Sequence, residues 1–188
     1  MKKKSDNKKI IFLVPQKSIL FTNQIKNRYF MFLKWLINNY KNLIQIKCHP
    51  KELKNNELIK KKFISKSNFV KAEENIYEAF KKFSIIVGSV SSAMLEGSRI
   101  GLVPIFYLPR SNSRYLWSKT INQLKKINNI NLLSDNVDIL KKSTTYLLKR
   151  NNYKEILKIK KILVNEISLI GEDSRQKILN KINLIVKP

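Results

Sequence analysis

The chain has a single histidine, His49, and Pro50 follows it directly. Proline keeps the residue before it out of the helical region, so His49 is held on a stiff, extended piece of backbone. An imidazole there can donate a hydrogen bond to a phosphate, or act as an acid or base near neutral pH. The plain alternative is a loop histidine with no role. The second candidate group is Ser91-Ser92, in the stretch Phe83 to Pro109, FSIIVGSVSSAMLEGSRIGLVPIFYLP. Small residues let a backbone come close to a ligand. A helix beginning here turns open N–H groups and its positive dipole end toward that place, which suits a phosphate. Serine is equally an ordinary N-cap. Glu96 lies one helical turn after Ser92 and projects from the same part of the helix. Its carboxylate can accept from ribose hydroxyls, as in dinucleotide folds, or pair with a Lys or with Arg99. Arg99, Arg110 and Arg114 surround this unit and are half of all the arginines. They can neutralise a diphosphate or serve as surface charge. Cys48 and His49 are adjacent without a supporting cluster, so they do not make a tetrahedral metal site, and no metal is expected.

These groups need elements to position them. Ile85, Ile86 and Val87 form an apolar run with the look of a strand buried on both faces. Gly88 is expected to break it, with Ser89, Ser91 and Ser92 in the turn that follows. Ala93 to Ile100 reads as a helix with Met94, Leu95 and Ile100 inward and Gly101 as its stop. Val103 to Leu108 is a second apolar strand, interrupted by Pro104. Upstream, Ile10 to Val14 is a strand ended by Pro15. Gln24 to Tyr40 is a helix whose apolar face carries Ile25, Tyr29, Phe32, Leu33, Leu36 and Ile37, widened by Trp35. Leu43 to Cys48 is a strand with His49-Pro50 at its carboxyl end. Glu52 to Ile64 reads as a basic amphipathic helix and Phe69 to Lys71 as a short strand. Asn75 caps a helix from Ile76 to Phe83, with Glu78 as the reciprocal capping-box residue. Downstream, Arg110 to Ser118 is polar and irregular, and Leu116-Trp117 lies where it can cover the site. Ile130 to Leu133 reads as a last short strand and Asp135 as the cap of a helix running to Lys149. Helices are also expected from Tyr153 to Ile170 and from Ser174 to Val186. Strand and helix alternate through the first ~110 residues, which favours right-handed crossovers and a parallel sheet. The fold class is therefore α/β, a parallel sheet with flanking helices and a helical C-terminal third. The strand ends carrying His49 and the serines are expected to be neighbours aimed at one crevice.

Composition narrows the function. The 188 residues suffice for one domain with a real core and are few for two. Residues 1–9 form a basic tail expected to be mobile, and residues 10–188 one domain without a linker. Net charge is +25, yet only six of the 38 basic residues are arginine. Arginine is the usual fork for phosphates and base edges. A lysine excess in a chain rich in Asn and Ile also fits codon bias, so nucleic acid is not expected as a partner, while attraction to anionic surfaces is. One cysteine excludes an intramolecular disulfide and fits a reducing cytoplasm. The start, MKKKSDNKKIIFLVP, mimics a signal-peptide head, but its apolar run is short and no small-residue cleavage site follows. No stretch approaches the ~20 apolar residues of a membrane span. The expected location is cytoplasmic, with peripheral contact at the inner face of the membrane.

IKCHP (Ile46 to Pro50) resembles the "HP" motif, and GSVSSAMLEG (Gly88 to Gly97) the "SS" motif, of bacterial sialyltransferases, polysialyltransferases and related capsule or lipopolysaccharide glycosyltransferases. Glycerophosphotransferases of teichoic-acid synthesis carry a similar pair. The resemblance spans about Ile10 to Pro109. It implies the donor-binding, C-terminal half of a GT-B enzyme with a Rossmann-like fold, acting in surface-polysaccharide synthesis. It implies a nucleotide-sugar donor, such as CMP-sialic acid, as substrate, a glycan acceptor and no cofactor. By resemblance His49 contacts the donor phosphate and helps the nucleotide leave, Ser91 and Ser92 hold that phosphate, and Glu96 binds ribose. Cys48 departs from the proline common before the motif's histidine. The catalytic base of such enzymes belongs to the N-terminal half, which nothing before Ile10 supplies. A fragment, a truncated gene product or a subunit of a split enzyme is expected, with a partner providing that half. Two alternatives stand beside it: a nucleotide-sugar epimerase- or hydrolase-like domain, and a basic non-enzymatic adaptor binding nucleic acid or anionic membrane.

Overall fold

Three apolar pentads set the centre of the molecule. Strands β1 (Ile10–Val14), β3 (Ile85–Ser89) and β4 (Val103–Tyr107) are buried at every position. Such runs belong to strands covered on both faces. β2 (Ile44–Cys48) is less uniformly buried, with Gln45 and Cys48 partly exposed. β5 (Leu133–Ser134) is short. All pair in parallel, in the order β2-β1-β3-β4-β5. The computed structural model describes residues 9–14, 23–49, 75–89, 91–107, 130–149, 152, 158–159 and 161, with the backbone alone at 23–26.

Four helices accompany the sheet among the described residues: α1 (Asn23–Tyr40), α2 (Ile76–Phe80), α3 (Ser92–Arg99) and α4 (Val137–Leu148). Right-handed crossovers place α1 on one face of the sheet and α2 and α3 on the other; α4, which follows the last described strand, joins the α1 face by packing on that helix. The contacts agree. α1 packs on α4, where the Tyr40 and Thr145 hydroxyls are 3.2 Å apart. α3 lies beside α2, where a Cβ built on Gly97 would stand 3.4 Å from the Phe80 ring. The face of α1 that meets the sheet carries Tyr29, Phe32, Leu33, Leu36 and Ile37, all buried, as its spacing predicts; Ile25 lies outside the described side chains. The chain is thus a doubly wound, Rossmann-like α/β fold. Its strand order reverses direction between β1 and β3, the place where open sheets of this order take ligands.

Several local expectations are corrected. β3 continues through Gly88 and ends at Ser89, which is buried. Gly88 does not end the strand because its missing side chain has another use: a Cβ there would lie 3.0 Å from the Met94 sulfur and 3.3 Å from the Leu13 Cβ. Pro104 does not interrupt β4. Val103 N–H reaches back to Ser84 beside β3, and Phe106 N–H reaches Leu132 beside β5. By alternation the missing N–H of Pro104 faces the β5 side, below the two residues that pair there, so no rung is lost. Ile100 follows α3 as its C-cap and is 48% exposed rather than inward. Gly101 does stop the helix, at φ 97°, a conformation that favours glycine.

Capping is corrected twice. Asn75 caps α2 as expected, its Oδ1 accepting from Tyr77 N–H at 2.9 Å. The helix proper ends at Phe80, three residues short, and Glu78 pairs with Lys81 at 2.6 Å instead of returning to the cap. For α4 the cap is Asn136, one residue after Asp135, with its Oδ1 accepting from Asp138 N–H at 2.8 Å. The helix from Glu52 to Ile64, the strand from Phe69 to Lys71, the basic tail before Lys9, the Arg110 to Ser118 segment and the helix from Ser174 to Val186 lie outside the described residues. Of the helix from Tyr153 to Ile170, only Lys158, Ile159 and Lys161 are described, and they are helical, with Ile159 buried in the core.

Candidate functional site at the carboxyl edge of the sheet

All five strands are parallel, so every strand ends on the same edge. Cys48 is level with Val14 across β2 and β1, and Ser89 is level with Tyr107 across β3 and β4. His49 leaves the edge one residue beyond Cys48, and Ser91 two residues beyond Ser89. The two strand ends are not neighbours, because β1 lies between them. Two interstrand spacings separate them, about 10 Å. A group shared by both must therefore span the end of β1.

The start of α3 leaves backbone donors open at this edge. Ser91 is the N-cap, with extended backbone (φ −156°, ψ 163°), and its Oγ accepts from Met94 N–H at 3.4 Å. Leu95 N–H returns to the Ser91 carbonyl at 3.2 Å. Ser92 is the first helical residue and is exposed. Among the described residues no acceptor meets the N–H groups of Ser92 and Ala93. Two open N–H groups, an exposed hydroxyl and the positive helix end converge at the carboxyl edge. His49, half-buried, stands at the same edge.

The other expected residues stand elsewhere. Glu96 faces the Tyr77 hydroxyl on α2, and hydrogen bonding to its carboxylate together with that charge pushes the Tyr77 phenol up from its ordinary value, while Arg99 opposes the shift. Arg99 occupies the last turn of α3, about 10 Å along the axis from Ser92, so the helix does not bring it to the anion end. Arg110 and Arg114 lie outside the described residues.

The sequence did not disclose the group that closes the switch point. Ladder pairing of β1 with β3 stops at Phe12 and Val87. Beyond it the Tyr29 hydroxyl donates to the Leu13 carbonyl and accepts from the Ser89 N–H. Burial pushes the Tyr29 phenol well above its ordinary value, and the Ser89 donor opposes that shift. Its ring packs against Phe12, with centroids 5.0 Å apart, and against Tyr107 at 5.6 Å. On the α1 face the gap between β1 and β3 is therefore filled by protein. No group of three His, Cys, Asp or Glu among the described residues is placed to hold a metal. No helix among them is long and apolar enough to cross a membrane.

No family model matches the chain, and no curated protein matches its sequence.

Proposed function

We propose that this domain holds the phosphate of a nucleotide-sugar donor at the start of α3 and serves as the donor-binding half of a glycosyltransferase acting on surface polysaccharide. The observation that supports the reading is the pair of open Ser92 and Ala93 N–H groups beside the exposed Ser92 hydroxyl, on the edge that also bears His49. In transfer, an acceptor hydroxyl attacks the anomeric carbon and the nucleotide phosphate leaves with the bonding electron pair. The charge developing on that phosphate is stabilised by donors already in place, which is where such a site contributes most. His49 supplies a further donor, or a proton, to the leaving oxygen. The base that deprotonates the acceptor belongs to a partner half. Glu96 reaches ribose only by giving up its bond to Tyr77.

The test is a thermal-shift panel of the purified chain with CMP, CDP, UDP and GDP. A ligand bound only by the folded state raises apparent stability. At least one nucleotide is expected to raise the melting temperature, and His49→Ala or Ser92→Ala to diminish that rise. The reading is overturned if no nucleotide shifts melting, or if both variants respond as the parent does. A steep loss of nucleic-acid binding with salt, indifferent to His49→Ala, would favour the basic adaptor instead.

A further inference from the structure

The outward surfaces of the two helical layers differ in charge. On α1, Tyr29, Phe32, Leu33, Leu36 and Ile37 are buried in the core. Met31, Lys34 and Asn38 recur along the opposite side at helical spacing, and all three are exposed. On α4, Leu140, Ser143, Thr144 and Leu147 are buried, and Asp138, Lys142 and the C-cap Lys149 form the matching outer stripe. Both helices return from parallel strands, so they run the same way side by side, with Tyr40 against Thr145. Arg28 is exposed on α1 and Lys41 just after it. The acids of this layer offset little: Asp138 is paired with Lys141 at 2.9 Å, and Asp135 is half-buried. On the other layer the signs mix, Glu78 pairing with Lys81 and Glu96 lying near Arg99. Among the described residues the basic excess of the helices therefore lies mainly on the α1–α4 face.

A second observation bears on what covers that face. Met31 is 61% exposed within the basic stripe, and Tyr146 is 40% exposed on the flank of α4. An apolar side chain among cations gains little from a sugar-phosphate backbone, but it is removed from water below lipid headgroups. A phenol suits the same boundary. Among the described residues Arg28 is the one arginine on this face, where phosphodiester recognition favours the arginine fork. Lysine suits the diffuse charge of anionic headgroups. The apolar faces of both helices are already buried on the sheet, so the contact is shallow: charge attracts and Met31 enters.

We propose that the α1–α4 face docks on an anionic lipid bilayer, with Arg28, Lys34 and Lys142 at the headgroups and Met31 entering below them. Laid so, the sheet lies along the surface and its carboxyl edge stays open to the side. The face shares no residue with the nucleotide reading, so either can fail while the other stands.

The experiment is co-flotation of the full chain with vesicles of phosphatidylcholine and phosphatidylglycerol in equal parts, set against vesicles of phosphatidylcholine alone and, at matched salt, a DNA duplex. Binding to the mixed vesicles and not to phosphatidylcholine is expected, falling as salt rises. A net charge of +25 draws the chain to any anionic surface, so matched variants locate the contact. Lys34→Gln with Lys142→Gln is expected to weaken vesicle binding about twenty-fivefold, about fivefold for each charge. Lys81→Gln with Lys82→Gln, the same change on the other layer, is expected to leave it within about twofold, since those charges stand beyond the screening distance. Met31→Ser is expected to weaken vesicle binding severalfold and to leave duplex binding unchanged. The proposal is overturned if the mixed vesicles do not bind, if both lysine pairs weaken binding equally, or if Met31→Ser leaves vesicle binding unchanged. It is also overturned if the duplex binds more tightly and loses as much from the Lys34 and Lys142 changes, for the face would then be a nucleic-acid surface.

Discussion

The Tyr29 hydroxyl donates to the carbonyl of Leu13, sixteen residues earlier in the chain. The contact fastens α1 to β1 just where β1 and β3 cease to pair. It supplies an acceptor's partner that the sheet no longer provides. The same oxygen takes the Ser89 N–H, so one phenol satisfies a buried group on each of two parting strands.

Removing that hydroxyl leaves both backbone groups buried and unpaired. Tyr29→Phe is expected to cost about 1–3 kcal/mol, measured by urea unfolding at neutral pH. The alkaline side gives an independent check. A phenol whose folded pKa is raised stabilises the folded state fully below its unfolded value, about 10, and that contribution is lost as pH rises above it. Tyr29→Phe should flatten the fall of stability above that pH. A parent and variant with parallel alkaline slopes would show that Tyr29 is not held protonated.

Gly97 tests how tightly α3 is set on the sheet. A Cβ there would stand 2.6 Å from the Ile86 Cδ1 and 3.4 Å from the Phe80 ring. Gly97→Ala gains helix propensity of about 1 kcal/mol, but overpacking costs about 1–3 kcal/mol. The clash is with the far end of one side chain, so Ile86→Val, which lacks Cδ1, should relieve it. A double-mutant cycle is expected to give a favourable coupling of about 0.5–1.5 kcal/mol. Additive single-mutant effects would place the constraint in the Phe80 ring or the backbone.

The sheet was legible because its strands are apolar throughout and its helices periodic, although a strand buried on both faces does not announce its register. Helix ends were less legible. Asp135 and Asn136 are both good caps, and which one serves depends on where β5 releases the chain, with Ser134 Oγ accepting the Asn136 N–H at 2.9 Å. Strand adjacency could not be read locally: nothing in IKCHP or GSVSSAMLEG says that β1 inserts between them. The groups met by Tyr29 and Glu96 lie on other elements, so spacing along the chain carries no signal for them. Tyr29 reads as one more core residue of α1 until its hydroxyl is followed to Leu13.

Glu96 and Tyr77 make a separable claim about ribose. Their hydrogen bond, with the carboxylate's charge, raises the Tyr77 phenol, while Arg99 opposes the rise. Glu96→Gln should bring that phenol down toward its ordinary value in an ultraviolet pH titration, with Tyr77→Phe identifying the band. A nucleoside that draws Glu96 away should lower it in the same direction. If saturating nucleotide leaves the Tyr77 titration unmoved, Glu96 stays with α2 and is no ribose ligand.

Ser91 and Ser92 are adjacent, yet their substitutions should behave oppositely. Ser91→Ala removes the N-cap acceptor of α3. Its bond to Met94 N–H is long, at 3.4 Å, so the loss of stability should fall near the low end of the capping range, about 0.5–1 kcal/mol. Ser92 is exposed and accepts nothing from the helix, so Ser92→Ala should change stability by less than about 0.5 kcal/mol. On binding, the order reverses. Ser92→Ala should weaken nucleotide affinity about tenfold, as expected for one hydrogen bond to a charged phosphate, while Ser91→Ala acts only through fraying of the first turn. Paired urea and nucleotide titrations of the two variants decide the matter. If both lose stability and neither loses affinity, the serines cap a helix and the phosphate is held elsewhere.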